Sequence, residues 1–95
     1  MADITVISTP HASGWVCTVQ ISESNGQTRH SVTLKRHDLN ELSAGKLTTP
    51  EELVKRSFEF LLERESKEQI LRQFELPTIS RYFPEFAAEI RKKFQ

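Results

Sequence analysis

A chain of 95 residues allows a single domain with a modest core, and 37% hydrophobic with 27% charged residues is the composition of a globular protein. Thirteen basic residues cancel thirteen acidic ones, so the chain lacks the cationic surplus that grips a phosphate backbone. One cysteine, Cys17, excludes an internal disulfide and fits a reducing compartment. No basic n-region leads an apolar run at the N-terminus, and no stretch reaches the length of a membrane-spanning helix. The expectation is a cytoplasmic protein without membrane contact.

The first β-prone run is "DITVIS", residues 3–8, followed by "STPHASG", which reads as a loop over residues 8–14. The run is expected to pair antiparallel with a strand that opens at Trp15. Two further β-prone runs flank Asn25-Gly26, a pair suited to a type I′ turn because both of its central residues need positive φ. With those two residues as the loop, Ser24 faces Gln27. Val19 then faces Val32, Cys17 faces Leu34 and Ile21 faces His30 on one side. Thr18–Thr33, Gln20–Ser31 and Ser22–Arg29 pair on the other. Apolar meets apolar and polar meets polar, so one face is core and the other is wet.

A short helix is expected near residues 38–42, stopped at Gly45. "TPEELVKRSFEFLLERE" is a stronger helix: Thr49 caps it, Pro50 takes its first position and Glu52 lies three residues after the cap. Leu53, Val54, Ser57, Phe58, Leu61 and Leu62 share a broad face that Phe60 widens. Ser66 and Gln69 form a second capping box, opening a helix with Ile70, Leu71 and Phe74 as its apolar positions. Leu76-Pro77 interrupts it, because the residue before proline is pushed out of helical geometry. "TISRYF" allows one or two turns. Pro84 then opens a last helix with Phe86, Ala87, Ile90 and Phe94 at helical spacing and basic residues at its end.

The run from "SFEFLLERE" to "RYFPE", within residues 48–90, resembles the C-terminal part of a group of small uncharacterised bacterial proteins. "FLLERE" is generic, whereas "RYFPE" is more distinctive. The likeness implies a bacterial, cytoplasmic origin. It implies no activity and supplies no catalytic residues.

Candidate chemistry is sparse. "SAGKLTT" lacks the earlier glycine and the hydroxyl after lysine that a phosphate loop needs. His11, His30, His37 and Cys17 show no metal-ligand spacing. Cys17 on an apolar strand face reads as a small hydrophobe. The Glu residues of 51–68 interleave with Lys55, Arg56, Arg64 and Lys67 at i, i+4, as on a solvated helix face. No catalytic residue, cofactor or metal ligand is therefore assigned, and the chain is not read as an enzyme.

The rings of "FELPTISRYFPEF" carry the functional question. Residues 66–83 fit a degenerate helix-turn-helix, the alternative of a nucleic-acid-binding regulator, but the break has no glycine and the second helix is short and little charged. The favoured expectation is a small protein-binding or adaptor module, a homodimer among its possible assemblies, with Arg81, Tyr82, Phe83 and Phe86 as its interaction surface.

The expected fold is α+β in a single domain, 1–95: two or three antiparallel strands in 1–37, packed against three or four helices in 38–95. Val19, Ile21, Val32, Leu34, Leu53, Phe58, Leu61, Leu62, Ile70, Leu71, Phe74, Ile79, Phe83 and Ile90 are the expected core.

Overall fold

A computed structural model describes residues 2–94. It is α+β. Strands β1 (Asp3–His11), β2 (Gly14–Glu23) and β3 (Gly26–Lys35) form an antiparallel meander. Helices α1 (Arg36–Leu42) and α2 (Pro50–Leu62) follow. A short β4 (Gln73–Glu75) then joins β3 in parallel, and α3 (Ile79–Tyr82) and α4 (Phe86–Lys92) complete the chain. The sheet order is β1-β2-β3-β4, so β1 and β4 are its two edges.

The hairpin keeps its expected faces but slips by two residues. The turn is made by Ser24 and Asn25, and Glu23 pairs with Gly26. The positive φ falls on Gly26, at 133°, and not on Asn25. Cys17 therefore faces Val32, Val19 faces His30 and Ile21 faces Thr28. A slip by an even number leaves every side chain on its own face, which is why the polar pattern could not detect it. Asn25 has another commitment: its Oδ1 accepts a hydrogen bond from Lys67 Nζ at 2.9 Å.

β1 is also longer than expected, running through Pro10 to His11 and leaving only Ala12 and Ser13 as the turn. Proline is tolerated there because β1 is an edge strand. Gly14 opens β2 under a different constraint. A Cβ at this position would lie 2.0 Å from the Leu34 carbonyl oxygen, so the close approach of β2 and β3 requires a glycine.

α2 forms as its sequence predicts, with Thr49 Oγ1 accepting from the Glu52 N–H at 3.2 Å. It is the central helix. Phe58 meets the sheet side through His30, with ring centroids 5.4 Å apart. Phe60 turns the other way, to Phe86 at 5.2 Å and Phe83 at 6.0 Å. Burying two sides of one helix unites the sheet and the last two helices around a single core.

The expected helix after Ser66 does not form. Its first turn does: the Ser66 N–H donates to Gln69 Oε1 at 2.9 Å, but only Lys67–Gln69 are helical, as a 3-10 turn. Ile70 is already extended, and the chain runs on as β4. Ile70 is buried as expected, whereas Leu71 is 46% exposed. Leu62, Phe74 and Phe83 are half-buried rather than core. Leu76, expected only to break a helix, is fully buried in a second 3-10 turn, Leu76–Thr78.

Lys67 was expected on a solvated helix face beside Glu63. Its side chain is instead 1% exposed, roofed by Glu23 at 2.9 Å and Glu68 at 2.8 Å. Hydrogen bonds to Glu68 and then Glu23 hold its pKa above the ordinary lysine value. This clasp ties the β2–β3 turn to the segment after α2. The charged pattern of α2 itself is as expected at Glu52 and Arg56, which pair at 2.8 Å.

Gly14→Ala is expected to destabilise the protein by at least about 3 kcal/mol, because the backbone atoms that meet the new methyl cannot move without breaking the β2–β3 ladder. Urea denaturation checks this; a loss below about 1 kcal/mol would mean the strands can separate at this point.

Candidate functional site

Tyr82 and Phe83, two of the four residues expected at an interaction surface, line a pocket. Its volume is about 130 Å³. One wall is the end of α2 and the residues after it, Leu61 and Glu65. Ile70, Leu71 and Phe74 form the second. Ile79, Tyr82 and Phe83 of α3 and its C-terminal edge form the third. Leu71 and Tyr82 are the outermost of these, at 46% and 64% exposed.

Each wall has a local cause. α3 is four residues long because Leu76-Pro77 delays its start and Pro84 ends the run after Phe83. That brevity turns Ile79 into the core and leaves Tyr82 at the rim. The second wall is extended because the sheet captures it. The Ser31 N–H donates to the Arg72 carbonyl at 2.8 Å. One residue earlier, the Leu71 carbonyl accepts from His30 Nδ1 at 2.8 Å.

That contact fixes which His30 nitrogen carries a proton. A carbonyl only accepts, so Nδ1 carries the proton. Nε2 lies 2.9 Å from Thr28 Oγ1 and accepts from that hydroxyl in the neutral ring, the form that burial favours. Burial drives its pKa below the ordinary histidine value; the Leu71 carbonyl opposes this, and Arg72 adds to it. His30 packs tilted against Phe58, and Phe58 lies 6.0 Å from Phe74, so these rings stand behind the Phe74 wall of the pocket. His30 is thus a structural strut and not a free base.

Glu65 is the one carboxylate on the pocket wall. It is half-buried, and among the described residues its side chain makes no ion pair or hydrogen bond. Loss of solvent raises its pKa above the ordinary glutamate value. Sequence reasoning missed it, because Glu65 looks like one more member of a charged helical face.

The expected interaction residues divide. Tyr82 and Phe83 line the pocket, and Arg81 is exposed beside them. Phe86 is fully buried against Phe60, so its contribution is to the core. Residues 66–74 do not supply the first helix that a helix-turn-helix requires. Elsewhere, Cys17 is fully buried and its thiol pKa is pushed up to about 11, first by burial and then by the Glu51 charge. Such a thiol is a poor nucleophile. Among the described residues, no three His, Cys, Asp or Glu side chains are grouped to hold a metal ion, and no helix is long and apolar enough to cross a membrane.

The His30 strut predicts a pH dependence. The folded pKa lies below the unfolded one, so the unfolded chain takes up a proton first as pH falls. Stability should be complete above about pH 6.5 and decline below it, by about 1 kcal/mol per pH unit, until the folded imidazole also protonates. Urea melts at about pH 7.5 and about pH 5.5 check this, with His30→Gln expected to flatten the slope. A wild-type stability unchanged across that interval would show that the imidazole is solvated.

No family model, curated protein or solved structure matches the chain.

Proposed function

We propose that this chain is a non-enzymatic protein-binding module of the bacterial cytoplasm, and that its recognition point is the pocket between Glu65 and Tyr82. The observation that carries this reading is an unpaired, half-buried carboxylate on a wall that is mostly apolar, with Gln69 and Thr78 as its other polar members. A carboxylate stripped of water gains most from a cation that replaces the lost hydration. The surrounding Leu71, Phe83 and Tyr82 suit an aliphatic stem, and the exposed Tyr82 ring offers a face to a guanidinium. An arginine or lysine side chain of a partner protein meets both demands.

Size supports the same occupant. Pockets for drug-sized molecules run to roughly 300–1,000 Å³. A volume of about 130 Å³ suits one side chain better than a cofactor. Aromatic residues beside a small apolar pocket are also what concentrates binding energy at protein interfaces. The resemblance of the "RYFPE" segment to small bacterial proteins is the basis for the cellular setting.

Titration with an acetylated arginine amide, followed by amide NMR shifts, tests this reading. Shifts are expected at Glu65, Leu71 and Tyr82, and Glu65→Gln should weaken binding by about tenfold, the worth of one charge-assisted contact. Binding should also weaken in acid as the Glu65 carboxyl protonates. Shifts elsewhere, none at millimolar ligand on the order of weak side-chain binding, or salt-dependent binding to an oligonucleotide instead would overturn it.

A further inference from the structure

We infer that β1 is a pairing edge for a second copy of this chain, joining two sheets antiparallel about a two-fold axis at Ile7. The backbone groups of β1 that point outward follow from the pairing of the inner strands. The Ser31 N–H donates across to Arg72, so the odd-numbered backbone groups of β3 face β4 and the even-numbered ones face β2. His30 then bonds Val19, and the odd-numbered groups of β2 face β3. The even-numbered groups of β2 face β1, where Thr18 opposes Ile7. By alternation, Ile4, Val6, Ser8 and Pro10 direct their backbone groups away from the sheet. Pro10 checks this assignment independently, since it is at an outward position that a residue without an N–H is tolerated. Among the described residues, none of the outward groups of Ile4, Val6 or Ser8 has a hydrogen-bond partner.

Such edges are ordinarily blunted by short length, a lysine, a proline, a bulge or a covering element. β4, the other edge, has three residues. β1 has nine, pairs with β2 without a bulge, and contains no lysine or arginine; Pro10 blunts only its C-terminal end, opposite Ile4 in the pairing, and α2 meets β1 on its inner face, where Ser8 donates to Glu51. Its solvent face carries Ile7, 65% exposed.

A second copy is favoured over another strand because β1 complements itself. A two-fold axis at Ile7 sets Val6 opposite Ser8, outward group to outward group. It sets Ile7 against Ile7 as a non-hydrogen-bonded pair, the closer of the two pair types. The same axis places Asp3 opposite His11 at both ends, and an imidazole donates a hydrogen bond to a carboxylate in either protonation state. Contact is isologous and closes, so no filament follows.

Sedimentation velocity and a cross-link test this together. The expected result is a dimer at concentrations on the order of 100 μM that dissociates on dilution, as a small interface predicts. Ile7→Lys should give a monomer with an unchanged circular dichroism spectrum, because it sets two ammonium groups face to face on a surface that is otherwise exposed. Ile7→Cys should form an intermolecular disulfide on mild oxidation, since a non-hydrogen-bonded pair brings the two Cα atoms to about 4.5 Å. Thr9→Cys alone should not, because Thr9 faces Thr5. A wild-type monomer at every concentration, a dimer indifferent to Ile7→Lys, or equal cross-linking from both cysteine variants would overturn the pairing.

Discussion

The hydrogen bond from His30 to the Leu71 carbonyl is the contact on which the second half of the molecule depends. It captures a segment that has a helix-like sequence and lays it beside β3. Capture sets the backbone of residues 71–75, which aligns β4 with β3 and leaves Leu71 facing outward. It also gives a buried imidazole its proton acceptor, and so allows a histidine at 1% exposure inside an aromatic group. Without an acceptor there, a buried N–H would cost about 1–3 kcal/mol, comparable to a large part of what one core side chain contributes. The pocket is a consequence of this capture, since its second wall exists only while the segment is extended.

A second clasp works alongside it. Lys67 closes on Glu23, Glu68 and Asn25, and so fastens the β2–β3 turn to the residues leaving α2. The two contacts hold the segment at both ends of Lys67–Gln69, and this explains why a well-formed capping box propagates no further. Helix propensity in 66–74 amounts to a few tenths of a kcal/mol per residue. Three sheet partners, a buried Ile70 and a satisfied histidine outweigh it.

These two clasps mark where the sequence was legible and where it was not. The strands of the meander and the central helix were readable, because alternation and the Thr49-Pro50-Glu52 start are local signals. The faces of the hairpin were readable and its register was not: alternation has period two, so a slip of two residues is invisible to it. Asn25-Gly26 pointed to a type I′ turn, and nothing local shows that Asn25 is held by a lysine far along the chain. β4 was unreadable for the same reason, since its only cause is a partner strand distant in sequence. At the pocket, Tyr82 and Phe83 were visible as surplus rings. Glu65 was hidden because desolvation, unlike charge, leaves no mark in the sequence.

The two surfaces lie at different edges of the sheet. β1 is one edge; β4, whose Phe74 lines the pocket, is the other. Pairing through β1 would therefore leave the pocket open and place one at each far end of the joined sheets. A single basic side chain in so small a pocket would bind weakly, because few contacts must offset the lost freedom of the partner. Two pockets held apart by a rigid joined sheet would change that arithmetic. A partner that is itself two-fold, or that repeats its basic residue, would meet the second pocket at an effective concentration set by geometry. Selectivity would then come from the spacing of the two sites more than from either one, and a pocket with one carboxylate and a few apolar walls would be sufficient chemistry.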